Sequence, residues 1–221
     1  MKIVNPYYFD PIEISGDRVN TIVIESTVHY RKILEELCWQ AEGYEGNFVI
    51  SENNEPIDFM KSCAVITDLY HIDLNERPII NALNADIVKQ YVGSELAENT
   101  IQTLNSFGSY VCQNSQFTIT FDTGLQLLNA VKCVGFQIDD QRMNLLEKLL
   151  EYCYLSIDLL KKKMVIINGL KEAVSTEEYF QFIESVLDRK IPLLLLEHNV
   201  HPEIDDRKNT IIIDKDLCRI S

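Results

Sequence analysis

Two stretches of this chain carry side chains whose types and spacing are able to do chemistry. The first is LLLLEHNVHPEIDD, residues 193–206, in which Glu197, His198, His201, Glu203, Asp205 and Asp206 follow directly on an apolar run. Two histidines three positions apart, with carboxylates around them, are the donor types that hold a divalent cation. A cation held there would activate water for hydrolysis. The same composition, with Pro202 supplying a bend, also describes a solvated loop ahead of a last strand. The second stretch is the run Lys161, Lys162, Lys163 immediately before MVIING. Three adjacent cations are able to contact phosphates. They also suit the carbonyl end of a helix, an effect of about 0.3–1 kcal/mol. Arg31, Lys32 and Lys132 are the further cations that would join a phosphate-contacting set.

Nucleotide chemistry lacks its usual vocabulary. A phosphate loop needs glycines, so that backbone N–H groups surround the phosphates, and a lysine that reaches them. The turn after the first long apolar strand reads ESTVHYRK and contains no glycine. The second strand–turn–helix, VIINGLKEAVSTEE, contains Gly169 alone, which is a turn signal rather than a cradle. No Gly-x-Ser-x-Gly and no His-Glu-x-x-His occurs. No bound nucleotide is expected.

The elements that must position these residues follow from periodicity. NTIVIE (residues 20–25), SCAVITD (62–68), Met164 to Ile167, Leu193 to Leu196 and Thr210 to Ile213 read as strands, and Phe48 to Ile50 as a small edge strand. The longer strands are continuously apolar, so they are expected to be covered on both faces, as in a mostly parallel sheet flanked by helices. Helical spacing follows Ser26-Thr27, covers residues 77–112 with a break at Gly93-Ser94, and returns over 125–134, 141–160 and 175–187. Gly135 is a left-handed stop, and Ser175 with Glu178 forms a capping box. The expected fold is α/β: a mostly parallel sheet head from residues 1–74 and 135–221, with a helical leg inserted at 75–134.

Size and charge set outer limits. A chain of 221 residues buries about 70% of its unfolded surface. Its 20 basic and 34 acidic residues give a net charge of −14, which opposes nonspecific nucleic-acid binding by a single copy. The beginning, MKIVNPYYFDP, has no apolar core of signal-peptide length, and no apolar run approaches a membrane span, so a cytoplasmic protein is expected. The six cysteines form no Cys-x-x-Cys pair and lie among apolar residues, as buried thiols in a reducing compartment do.

In order along the chain, NTIVIESTVHYRKILEEL, SCAVITDLYHIDLNERPIINALNADIVKQ, LLKKKMVIINGLKEAVSTEEYFQFIESV, PLLLLE and NTIIID resemble the small spacer-acquisition protein of type II-A CRISPR systems. The likeness spans nearly the whole chain and rests on segment order and local pattern. It implies an α/β head like an NTPase sheet without its nucleotide motifs, and a helical leg. It also implies a homotetrameric ring with a basic lumen that encloses double-stranded DNA and prefers free ends. By the same likeness the protein is not an enzyme, acts in antiviral defence, and associates with the CRISPR integrase and the RNA-guided effector nuclease. Phosphate contacts fall, by resemblance, on Lys32, Lys132, Lys161, Lys162 and Lys163, with Arg31 beside them. The family also implies calcium near the junction of leg and head, where this chain has SQFTITFDTGLQLLN with Asp122 as its one carboxylate and Asp139 and Asp140 farther along. Two other functions remain open on the residues alone: a metal-dependent hydrolase or nuclease at 197–206, and an acidic protein-interaction scaffold.

Overall fold

The computed structural model describes residues 1–200 and 208–220. In chain order the elements are β1 (Lys2–Asn5), β2 (Phe9–Glu13), β3 (Val19–Ile24), α1 (Thr27–Ala41), β4 (Val49–Glu52), β5 (Glu55–Ile57), α2 (Phe59–Ser62), β6 (Cys63–Ile66), α3 (Arg77–Tyr91), α4 (Glu95–Asn114), α5 (Leu127–Val134), α6 (Leu145–Tyr154), β7 (Met164–Asn168), α7 (Leu170–Ala173), α8 (Thr176–Asp188), β8 (Leu193–Glu197), β9 (Lys208–Ile213) and β10 (Arg219–Ile220). They fall into two compact units. One is Met1–Asp73 with the chain from Asp140 onward, and the other is Leu74–Asp139.

The first unit is α/β. Its main sheet has the order β10-β9-β3-β8-β7-β6. All neighbours run parallel except the β10–β9 pair. The sequence explains why β3, β7 and β8 are central. Successive side chains on a strand point to opposite faces, and here both sets are mostly apolar. Ile166, Leu194 and Leu196 enter one core with Ile22, Ile24, Ile33 and Leu37. Val165, Ile167, Leu193 and Leu195 enter the other with Leu149, Cys153, Tyr179, Phe182 and Ile183. Helix α1 thus covers one face, and α6 and α8 cover the other. Buried polar residues lie toward the strand ends: Asn20 and Thr21 near the start of β3 and Glu197 at the end of β8.

A second sheet, of order β2-β1-β4-β5, is antiparallel and packs Ile3, Phe9, Ile12, Ile50 and Phe48 into the α1-side core. The expected edge strand at Phe48 to Ile50 is therefore corrected. It is β4, a strand inside this small sheet with partners on both sides. The expected helix over 141–160 is also corrected. Asn144 caps a later start: its side chain accepts from Glu147 N at 3.0 Å, and Glu147 Oε2 accepts from Asn144 N at 2.8 Å. The last turn widens into a π-helical segment, Leu155–Leu159. The capping box at α8 forms as its residues dictate, with Ser175 N donating to Glu178 Oε2 at 2.9 Å.

The second unit holds α3, α4 and α5. Gly135 ends α5 in the left-handed conformation, φ 74°. Asn75 ties the unit's two ends together: its Oδ1 accepts from Ile138 N at 2.8 Å, and its Nδ2 donates to Ile138 O at 3.1 Å. Among the described residues no helix is long and apolar enough to cross a membrane.

Candidate nucleic-acid interface

The lysine run ends a helix and begins a strand. Leu160 N donates to Leu155 O and Lys162 N to Ser156 O, both at 2.9 Å, closing the π-helical turn. Lys161 sits between them with φ 60°, the left-handed conformation that commonly ends helices. Its ammonium donates to the Asp158 carbonyl, and that of Lys162 to the Met60 carbonyl. Lys163 Nζ lies 3.4 Å from Glu52 Oε2, a half-exposed ion pair, and its backbone N donates to Ser62 O at 2.7 Å. Burial pushes the neighbouring Cys63 thiol upward, with the Lys162 charge pulling the other way.

These contacts recruit a residue that the sequence alone did not single out. Lys61 lies on α2, between Met60 and Ser62, the two residues that Lys162 and Lys163 hold. Lys61, Lys162 and Lys163 are therefore joined at α2, at the amino-terminal ends of β6 and β7, with Lys161 next to them in the chain. Lys61 is well exposed and only loosely paired, 3.9 Å from Asp58. Asp58-x-x-Lys61 reads in sequence as an ordinary helix start, so only the β6–β7 pairing could have exposed the cluster.

The other expected cations are placed elsewhere. Arg31 and Lys32 are exposed in the second turn of α1, which starts where β3 ends. Because β3 and β7 run parallel through β8, these two residues attach at the opposite end of the sheet from the lysine run. Arg31 pairs with Glu35 at 3.7 Å. Lys132 is exposed on α5 of the second unit.

Ligands of open parallel sheets gather beyond the carboxyl ends of the strands. Here side chains of the chain itself occupy that crevice. His198 Nδ1 is 2.8 Å from Ile24 O, and its Nε2 is 3.3 Å from Thr27 Oγ1, so it sits over the β3–α1 turn. Tyr30 stacks on His198 with ring centroids 4.9 Å apart and donates to Asn168 Oδ1 at 2.7 Å. Burial, then the charges of Glu197 and Glu172, push the Tyr30 phenol up to about 12. Ser26 is the backbone N-cap of α1, but its hydroxyl turns to His29 Nδ1 at 2.8 Å and caps nothing. Gly169 (φ 67°) lets the chain turn from β7 into α7 and donates its N–H to Leu196 O at 2.9 Å.

Glu197, the last residue of β8, is fully buried. Its Oε1 accepts from Lys171 N at 3.2 Å, and its Oε2 has no hydrogen-bond partner. Burial pushes this carboxyl up to about 7, against the pull of the Lys171 N–H and ammonium. It is thus committed inward rather than offered to a cation. His201, Glu203, Asp205 and Asp206 lie outside the described residues. Among the described residues, no three His, Cys, Asp or Glu side chains gather as cation ligands. Asp122 is exposed and turns Oδ1 to its own Gly124 N at 2.8 Å. Asp140 is held at 2.6 Å by Lys148, whose hydrogen bond keeps that carboxyl below its ordinary range. A calcium ion needs six to eight oxygens, and the described acids do not assemble that set.

The fold has counterparts among known proteins. The crystal structure of Stu0660 of Streptococcus thermophilus superposes with a TM-score of 0.63 at 14% identity, over 97% of this chain and 74% of that one. The ADP conformation of MJ1267, an ATP-binding cassette of an ABC transporter, matches with a TM-score of 0.45 at 12% identity, over 90% of this chain and 81% of that one. Residues 40–217, which include the lysine cluster, the whole second unit and four of the six main-sheet strands, match a single family over most of the chain's length. The chain belongs to the CRISPR-associated protein (Cas_Csn2) family.

Proposed function

We propose that this protein is a non-enzymatic ring of four copies that encloses double-stranded DNA, prefers free ends, and acts in CRISPR spacer acquisition beside the integrase and the RNA-guided nuclease. Family membership supports the adaptation context. The observation that carries the DNA part is the joining of Lys61, Lys162 and Lys163 at α2, with Lys161 adjacent in the chain, in a protein of net charge −14. Cations are the scarce resource of this surface, and two of these ammonium groups are fixed on carbonyls. One copy has too few such groups to overcome its own repulsion from phosphate. Four copies facing a common axis supply enough. Contacts to phosphate carry no base information, so binding is sequence-blind.

The test is the salt dependence of binding to a short linear duplex, read by fluorescence anisotropy. Each phosphate neutralised contributes about −0.9 to the slope of log affinity against log salt. Replacing Lys161, Lys162 and Lys163 with alanine flattens that slope and weakens binding. A slope equal to that of the unsubstituted protein removes these lysines from the interface.

A further inference from the structure

The loop that joins α1 to β4 holds a tyrosine out on a fixed frame. Gly43 N donates to Gln40 O at 3.1 Å and Tyr44 N to Trp39 O at 3.0 Å, which wraps the loop onto the end of α1. Gly43 takes φ 94°, and a Cβ there would meet Met60 Sδ at 3.1 Å. The buried Gln40 amide then ties the loop down just ahead of β4. Its Nε2 donates to Phe48 O at 3.0 Å, and its Oε1 accepts from Phe48 N at 2.9 Å. Tyr44, carried on this pinned loop, is nevertheless 67% exposed. It lines a groove of about 500 Å³, a volume within the range of preformed ligand sites. The Phe48 and Phe59 rings, with centroids 6.1 Å apart, are buried in its lining, and Val49, Pro56 and Met60 are exposed along it.

Charge selects the occupant. Residues 42–58 carry Glu42, Glu45, Glu52, Glu55 and Asp58, and neither lysine nor arginine. Glu52 is paired with Lys163, and Asp58 only loosely with Lys61, at 3.9 Å. Two of these acids line the groove from different elements: Glu45 from the loop after α1, and Asp58 as the N-cap of α2. Such walls repel phosphate and attract a cation. A planar guanidinium suits the set best, because it lies on an aromatic face and donates in a fork to carboxylates.

We propose that this groove is a docking site for a segment of a partner protein, with an arginine on the Tyr44 ring between Glu45 and Asp58 and apolar neighbours against Val49, Pro56 and Met60. The apolar walls are what favour a protein segment over a free guanidine or polyamine, which has no side chains to cover them. Because the loop is pinned before a partner arrives, little of it has to be ordered on binding. The site stands on one chain and needs neither the ring nor DNA. It adjoins the lysine cluster, since Met60, which lines the groove, is the residue whose carbonyl holds the Lys162 ammonium. Acceptors for a cationic partner and cations for phosphate thus lie side by side on the same unit.

The test is fluorescence anisotropy of the full chain, without DNA and at physiological ionic strength, with an end-blocked labelled peptide in which leucines flank one arginine. The peptide binds saturably, its counterpart with glutamate in place of arginine does not bind, and free argininamide competes only weakly. Tyr44→Ala and Glu45→Lys each weaken peptide binding by about tenfold or more, the effect of losing an interface anchor. Tyr70→Ala, at a tyrosine 72% exposed and outside the groove, leaves it unchanged. Circular dichroism checks that each variant keeps its fold. Absence of saturable binding overturns the inference. Binding that neither groove substitution alters also overturns it, as general attraction to an acidic chain, and so does argininamide that binds as tightly as the peptide. A short single strand of DNA whose binding is lost in Tyr44→Ala would give the groove to nucleic acid, and a lower native mass of Tyr44→Ala would give it to a second copy; either result overturns the proposal. Duplex binding and its salt slope are measured separately, so this inference and the ring reading fail independently.

Discussion

Glu197→Gln isolates the energy held in one buried carboxyl. The side chain is fully buried at the end of β8, one oxygen on Lys171 N and the other without a partner, and its pKa is raised from an ordinary 4.5 to about 7. Below pH 4.5 the group is protonated in both the folded and the unfolded chain and contributes no pH dependence. Between 4.5 and 7 the unfolded chain ionises first, so the folded chain holds more protons and stability falls as pH rises. Above 7 both are ionised and the loss is complete. At about 1.4 kcal/mol per pH unit, a window of this width amounts to about 3 kcal/mol, or roughly 6–12 °C in unfolding midpoint for a chain of this length. Glutamine keeps the acceptor toward Lys171 and cannot ionise. The difference in stability between the variant and the unsubstituted protein, followed by urea unfolding from pH 4 to 8, grows in the variant's favour through that window and then levels off. The other acidic residues cancel in this difference. A flat difference would show that the carboxyl is not held neutral, and the account of the crevice as filled and inward-turned would lose its main support.

Two further substitutions probe the frame. Gly16→Ala would place a Cβ 2.0 Å from Lys190 O, backbone against backbone. Thermal unfolding should show a loss of several kcal/mol, on the order of the largest single-residue effects; a loss under about 1 kcal/mol would mean that the two segments do not meet. Ser175→Ala removes one half of the α8 capping box and should lower stability by about 1 kcal/mol, read as a shift in urea midpoint; no shift would mean that α8 does not begin there.

What the sequence disclosed depended on how strongly each element's energetics were local. β3, β7 and β8 were legible because strands buried on both faces have no polar register, and the α8 start was legible because its cap is a contact between neighbours. Gly135 and Gly169 announced their turns because few other residues tolerate positive φ. The small sheet was not legible beyond one fragment. Its strands have three to five residues, Pro11 interrupts β2, and a register shift between Ile3 and Asn5 breaks the alternation. Its apolar residues make sense only once the α1-side core assembles around them.

The candidate site divided in the same way. The lysine run was visible as charge, but Lys61 joins it only through the β6–β7 pairing, and Arg31 and Lys32 attach at the far end of the sheet for a reason that lies in strand direction. Glu197 read as one acid among many, and only burial sets it apart.

Native mass measurement of the purified chain, with and without a short linear duplex, tests the central claim most directly. The account predicts four copies and, on adding duplex in dilute buffer, one duplex per four copies, with no comparable retention of closed circular DNA. A monomer, or four copies that take up no duplex, would contradict it.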